Sequence, residues 1–144
     1  MTTLFLDTEF NGFGGELISV ALTDGKLHQF YMVVDILKPF EPWIAANVVP
    51  KLGIPQFSGS HAQVRDLFHK WITQFRNPEI ICDWSADAEH FCRLLQGSDY
   101  GSSLDFACQI KIVKTPIGHP VSRMPHNALA DAEALANWYN HASV

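Results

Sequence analysis

Basic residues are scarce in this chain. Ten Lys and Arg stand against 15 Asp and Glu in 144 residues, a formal net charge of -5. Affinity for phosphate chains comes mainly from Lys and Arg displacing counterions, so this balance argues against a protein that coats long nucleic acids. Acids that bind divalent cations would alter that field, because two such ions would offset up to about four negative charges. Cysteine is sparse too. Cys82, Cys92 and Cys108 are odd in number and form no C-x-x-C pair, which suggests neither a disulfide framework nor a zinc ribbon and fits a reducing cytoplasm. No apolar run is long enough to span a bilayer, and no basic start precedes an apolar segment. A soluble, cytoplasmic protein with no membrane partner is expected. Repeats and low-complexity tracts are missing as well.

What is present is a hydrophobic fraction of 47%, enough for one sizeable core and short for two, so residues 1–144 are read as a single domain. Thr3 to Phe10 reads as an interior strand that ends at the loop Asn11-Gly12-Phe13-Gly14-Gly15. Leu17 to Thr23, the turn signal Asp24-Gly25 and Lys26 to Val34 predict a hairpin with a two-residue turn. Prolines between Pro39 and Pro55 predict an irregular link with a brief helix around Trp43-Ile44-Ala45-Ala46. Val64, Leu67, Phe68, Trp71, Ile72 and Phe75 carry helical spacing over 61–75, and Asn77-Pro78 stops it. A strand over 79–83, a helix over 86–95 ended by Gly97, and a closing helix over 127–141 follow. Leu104 to Val113 is ambiguous between helix and strand. The order predicts an α/β fold, most simply a ribonuclease H-like mixed β-sheet flanked by α-helices.

Asp7 and Glu9 are two apart in a strand, so their side chains leave one face of the sheet, close enough to share a metal. An acidic strand end is the plain alternative, but in an apolar strand an unpaired charge is costly and a cation is a natural partner. Asp87 lies in line with Phe91 and Leu94, and Asp131 with Leu135 and Trp138, so each should face the core side of its helix. The alternative for both is an acid favoured by the helix dipole, which fits Asp87 better because Asp131 is expected a full turn inside its helix. Asp83, closing a strand, is the rival to Asp87. Glu16, Glu89 and Glu133 read as solvated, and Asp105 has no assigned place. His126 follows Pro125 and is read as lying outside the last helix, where it can converge with Asp131. His119 and His90 read as ordinary surface or packing residues. Lys111, Lys114 and Arg123 make the 111–125 stretch a basic loop suited to guiding phosphates. Trp43, Trp71 and Trp84 offer aromatic surface to a possible homodimer.

Three motifs then carry a resemblance: Phe5-Leu6-Asp7-Thr8-Glu9-Phe10, Ile81-Cys82-Asp83-Trp84-Ser85-Ala86-Asp87, and His126-Asn127-Ala128-Leu129-Ala130-Asp131-Ala132. In this order they resemble the DEDDh branch of the DnaQ-like 3′-to-5′ exonucleases, and the first and third are similar to a compact bacterial exoribonuclease branch of the mycobacterial type. The second departs from the usual form, with Asp83-Trp84-Ser85 where the family often has an Asn. The resemblance implies a phosphodiester hydrolase acting on nucleic acid with a free 3′ end, RNA favoured over DNA, that releases nucleoside monophosphates. It implies two Mg²⁺ or Mn²⁺ ions, about 3.5–4 Å apart, held by Asp7, Glu9, Asp87 and Asp131, with His126 as general base. Thr8, Phe10, Phe13 and Arg123 are the expected substrate contacts, Phe10 and Phe13 by stacking on terminal bases or else as packing aromatics. Two other readings stay open: a DNA-directed exonuclease, and a non-catalytic nucleic-acid-binding module of the same fold. A ribonuclease H-type endonuclease is disfavoured by the His-x4-Asp spacing.

Overall fold

The computed structural model describes residues 1–97 and 101–142. A six-stranded mixed sheet runs in the order β4-β3-β2-β1-β5-β6. β1 (Thr3–Phe10), β2 (Leu17–Thr23) and β3 (Gln29–Val34) form an antiparallel meander. β4 (Phe57–Gly59) joins β3 in parallel, and β5 (Glu79–Cys82) and β6 (Gln109–Ile112) extend the other side in parallel with β1. Helices α2 (His61–Ile72) and α3 (Ser85–Leu95) pack on one face. On that side Leu4, Leu6, Val20 and Leu22 meet Phe68 and Phe91 in the main core. α4 (Ala128–Ala142) covers the opposite face, where Phe5 and Ile81 meet Leu135 and Ala21 meets Ala128 and Ala132. The short α1 (Pro42–Asn47) and Val48 after it seal one corner, with Ile44 and Val48 against Ile18.

Local chemistry explains these elements. β1 alternates, sending Leu4, Leu6 and Thr8 to one face and Phe5, Asp7 and Glu9 to the other. α2 begins with a capping box between Ser60 and Gln63, which satisfies two orphan backbone donors. Each fully buried Phe of the core contributes roughly 1.5–3 kcal/mol of transfer free energy. Three expectations shift. The β2–β3 connection is a longer loop, not a two-residue turn, because Asp24 Oδ1 accepts the backbone N–H groups of Lys26, Leu27 and His28 at 2.8–3.0 Å. That cage favours the open loop over the tight turn Gly25 would allow. α2 stops at Ile72, before the Asn77-Pro78 breaker. The ambiguous 104–113 stretch holds a strand, β6, at the edge of the sheet. No helix among the described residues is long and apolar enough to cross a membrane.

Candidate metal centre

β1 and β5 pair in parallel only as far as Phe5 and Ile81. Beyond that point they diverge, opening a crevice at the carboxyl end of the parallel strands, where α/β sheets commonly place ligands. Asp7 and Glu9 stand on the β1 side of it, Asp83 lies just past the end of β5, and Asp87 sits in the first turn of α3. Asp131 enters from the first turn of α4, so it is not a full turn inside its helix as its sequence position suggests. A β-bulge, with register slipping between Glu9 and Phe10, ends the regular pairing of β1 with β2 beside the site. Bulges of this kind re-aim side chains near functional sites.

Two carboxylate groups result. Ligand oxygens of Asp7, Asp83 and Asp87 lie within 4.8 Å of one another, as do those of Asp7, Glu9 and Asp131. Asp7 is common to both. Asp83 and Asp87, rivals for one place when only their spacing is considered, stand together in one group because the fold brings them to the same side of Asp7. Asp7 Oδ2, Asp87 Oδ2 and Asp131 Oδ1 are buried without a hydrogen-bond partner. Unpaired buried carboxylate oxygens are costly, and oxygen-rich sites of this kind suit hard divalent cations such as Mg²⁺ and Mn²⁺.

The electrostatics follow from that crowding. Burial, then Asp87, Glu9, Asp131 and Asp83, hold the Asp7 carboxyl well above the ordinary carboxylate range. Burial, with Asp131 and Asp87, pushes Glu9 up to about 8. Asp87 reaches about 7, again chiefly through burial, although hydrogen bonds from Thr8 oppose the shift. Burial also raises Asp83 and Asp131, the latter moderated by Ser122 and by the backbone of His126.

Supporting contacts fix these acids. Thr8 donates to Asp87 Oδ1 through both its backbone N–H (3.1 Å) and its hydroxyl (2.6 Å). Thr8 is 4% exposed and its hydrogen bonds orient Asp87; it also lines the cleft, where its motif implies a substrate contact. The His126 backbone N–H donates to Asp131 Oδ2 at 3.0 Å. His126 has φ +72, a left-handed conformation that costs a non-glycine residue energy and persists only when neighbours impose it. It lies outside α4, in keeping with Pro125 before it. Asn127 caps α4 by accepting the Ala130 N–H at 2.9 Å, and its amide donates to the Lys51 carbonyl at 2.8 Å. The Trp43 ring meets the His126 ring edge-on at 5.1 Å.

The cleft above the carboxylates has a volume of about 870 Å³. Phe10, Phe13, Trp43 and Trp84 line it. Phe13 is 87% exposed and lies 6.5 Å from Trp84, ring to ring. Phe10 is more enclosed, stacked on His90 at 5.2 Å. Trp43 and Trp84, expected as dimer surface, belong to the cleft wall, and Trp71 is half-buried against the core. For Trp84 the sequence carries a signal of that place, since it stands between Asp83 and Asp87. Arg123 does not line the cleft: its guanidinium is 3.3 Å from Glu133. Lys111 lies against Tyr139, its Nζ 3.2 Å from the phenol oxygen. Glu16 and Glu89 pair with Lys38 and Arg93, away from the carboxylates. Compared with protein-family models and with curated proteins, the chain matches none.

Proposed function

We propose that this protein is a metal-dependent 3′-to-5′ exonuclease on a ribonuclease H-like sheet, with RNA as its favoured substrate. The single observation that carries the reading is the convergence of five carboxylates around Asp7, with buried unpartnered oxygens, at the floor of an aromatic-walled cleft that also contains His126. The residue motifs around Asp7, Asp87 and His126 to Asp131, similar to those of DEDDh exonucleases, support the polarity and the substrate class.

Asp7, Glu9, Asp87 and Asp131, with Asp83 beside Asp87, would hold a pair of Mg²⁺ or Mn²⁺ ions, which when bound supply Lewis-acid polarisation of the phosphate and charge neutralisation. The protein's own residues do the rest. Asp7 lies between the two carboxylate groups and joins them. Thr8 keeps Asp87 turned toward Asp7, and the His126 backbone does the same for Asp131. The His126 imidazole takes the proton of the attacking water as its oxygen bonds to phosphorus and the bond from phosphorus to the 3′ oxygen of the penultimate nucleotide breaks, that leaving oxygen taking a proton from solvent. Phe13 and Trp84 offer flat faces for the terminal base, and stacking of this kind tolerates any sequence.

The test is a 5′-labelled single strand, RNA and DNA in parallel, incubated with Mn²⁺. Progressive shortening from the 3′ end to mononucleotide products supports the reading. Internal cuts would make the protein an endonuclease, and an unchanged strand that is nevertheless bound would make it a non-catalytic module.

A further inference from the structure

We infer that the shallow groove between the 119–121 segment and the outer side of α4 seats the nucleotides that lie upstream of the terminal two, an assignment that rests on the exonuclease reading. The groove has a volume of about 450 Å³ and adjoins the cleft, with His119, Pro120 and Ala134 lining both. Beyond them it is lined by Val121, Asn137, Trp138 and His141.

Charge selects the occupant. Among the described residues no Lys or Arg lines the cleft, and one carboxylate outside the metal-binding set, Glu41, stands on its wall. A polyanion whose 3′ end lies among the cation-bearing carboxylates is repelled on the Glu41 side. The groove is the continuation in which no Asp or Glu lines the wall among the described residues. Glu133, the helix position just before Ala134, is engaged by Arg123 and by Gln29.

The lining has the chemistry a single strand uses. Trp138 is half-buried and presents an aromatic surface of the kind on which bases stack, and His119, Asn137 and His141 are exposed polar groups at the groove wall. His141 Nδ1 is 2.6 Å from the Asn137 carbonyl, so Nδ1 carries the hydrogen and Nε2 is left for a ligand. Val121, 77% exposed, adds an apolar surface at the rim.

The experiment measures anisotropy of 5′-fluorescein oligoribonucleotides, from dinucleotide to heptanucleotide, carrying a non-hydrolysable 3′-terminal linkage, in Mn²⁺. Wild-type affinity should rise with length. Trp138→Ala should lose about 10-fold for the longer strands, the scale of one stacked base, and leave the dinucleotide unchanged. Because Trp138 also packs inward, Val121→Asp and Val121→Lys serve as variants that cannot disturb the core: the first should weaken and the second strengthen binding of long strands only. Equal effects on all lengths, or no opposite response to the two charges, overturn the groove assignment. If the length-dependent effects appear but a hydrolysable strand is never shortened, the groove stands and the exonuclease reading falls. Shortening from the 3′ end that is the same in all three variants, with no change in binding, leaves the exonuclease standing and removes the groove.

Discussion

Stripped of divalent cations, the protein should lose stability as pH rises from about 4 to about 8, and the carboxylate cluster sets both the sign and the scale. Glu9 at about 8 and Asp87 at about 7 have folded-state values above those of the unfolded chain, and Asp7, Asp83 and Asp131 shift the same way. The folded state therefore holds protons that the unfolded state releases. The stability is fully present below the ordinary carboxylate range and is lost as pH climbs through the raised values. At about 1.4 kcal/mol per unit, Asp87, which is 2% exposed, accounts for on the order of 4 kcal/mol. Glu9 contributes less than its shift suggests, because its carboxylate is partly open to solvent screening. A loss of about 3 kcal/mol corresponds to roughly 10 °C in Tm for a chain of this size. Differential scanning fluorimetry in chelator from about pH 5 to about pH 8.5 should show that fall, and Mn²⁺ at about pH 8 should reverse it by binding the folded site. Asp87→Asn should flatten the profile, because the amide oxygen can still accept from Thr8 while the charge is gone. A chelated wild type whose Tm is level or rises over that range, or an Asp87→Asn profile parallel to wild type, would refute the reasoning.

Other outcomes follow from the same geometry. Asp7→Ala should abolish both Mn²⁺-induced stabilisation and activity, since Asp7 belongs to both carboxylate groups, whereas Asp83→Asn should retain part of each; titration calorimetry with Mn²⁺ distinguishes them. His126→Ala should cut turnover by on the order of 10²–10⁴ and leave the Mn²⁺-induced shift in Tm intact, checked by single-turnover kinetics alongside fluorimetry. Asn127→Ala removes the α4 cap and the tie to the Lys51 carbonyl, and should cost about 1–2 kcal/mol in urea denaturation.

How much of the fold and the site is legible in the sequence depends on how local each signal is. β1, with its alternating apolar residues and the Asp7–Glu9 pair, is written in consecutive positions. So is the last motif, where Pro125 keeps His126 out of the helix that begins at Ala128. The joining of Asp83 to Asp87 is not legible, because it depends on where β1 and β5 part after Phe5 and Ile81, a matter of tertiary pairing. β4 and β6 are hidden or ambiguous, since three or four residues at a sheet edge carry too little periodicity to be told from loop. The hairpin loop misleads because Asp24 can cage three backbone N–H groups, a side-chain effect that outweighs the Asp-Gly turn preference. The basic stretch is visible by composition alone, although its first cation, Lys111, lies in β6 and not in a loop. Composition cannot show that Arg123 meets Glu133 and Lys111 meets Tyr139, or that neither cation lines the cleft.

The most direct test of the central claim is one gel: a 5′-labelled single-stranded RNA incubated with wild-type protein in Mn²⁺, in chelator, and with Asp7→Ala in Mn²⁺. The account predicts a ladder shortening steadily from the 3′ end in the first lane and an intact strand in the other two. Shortening that persists in excess chelator, or that survives Asp7→Ala, would contradict it.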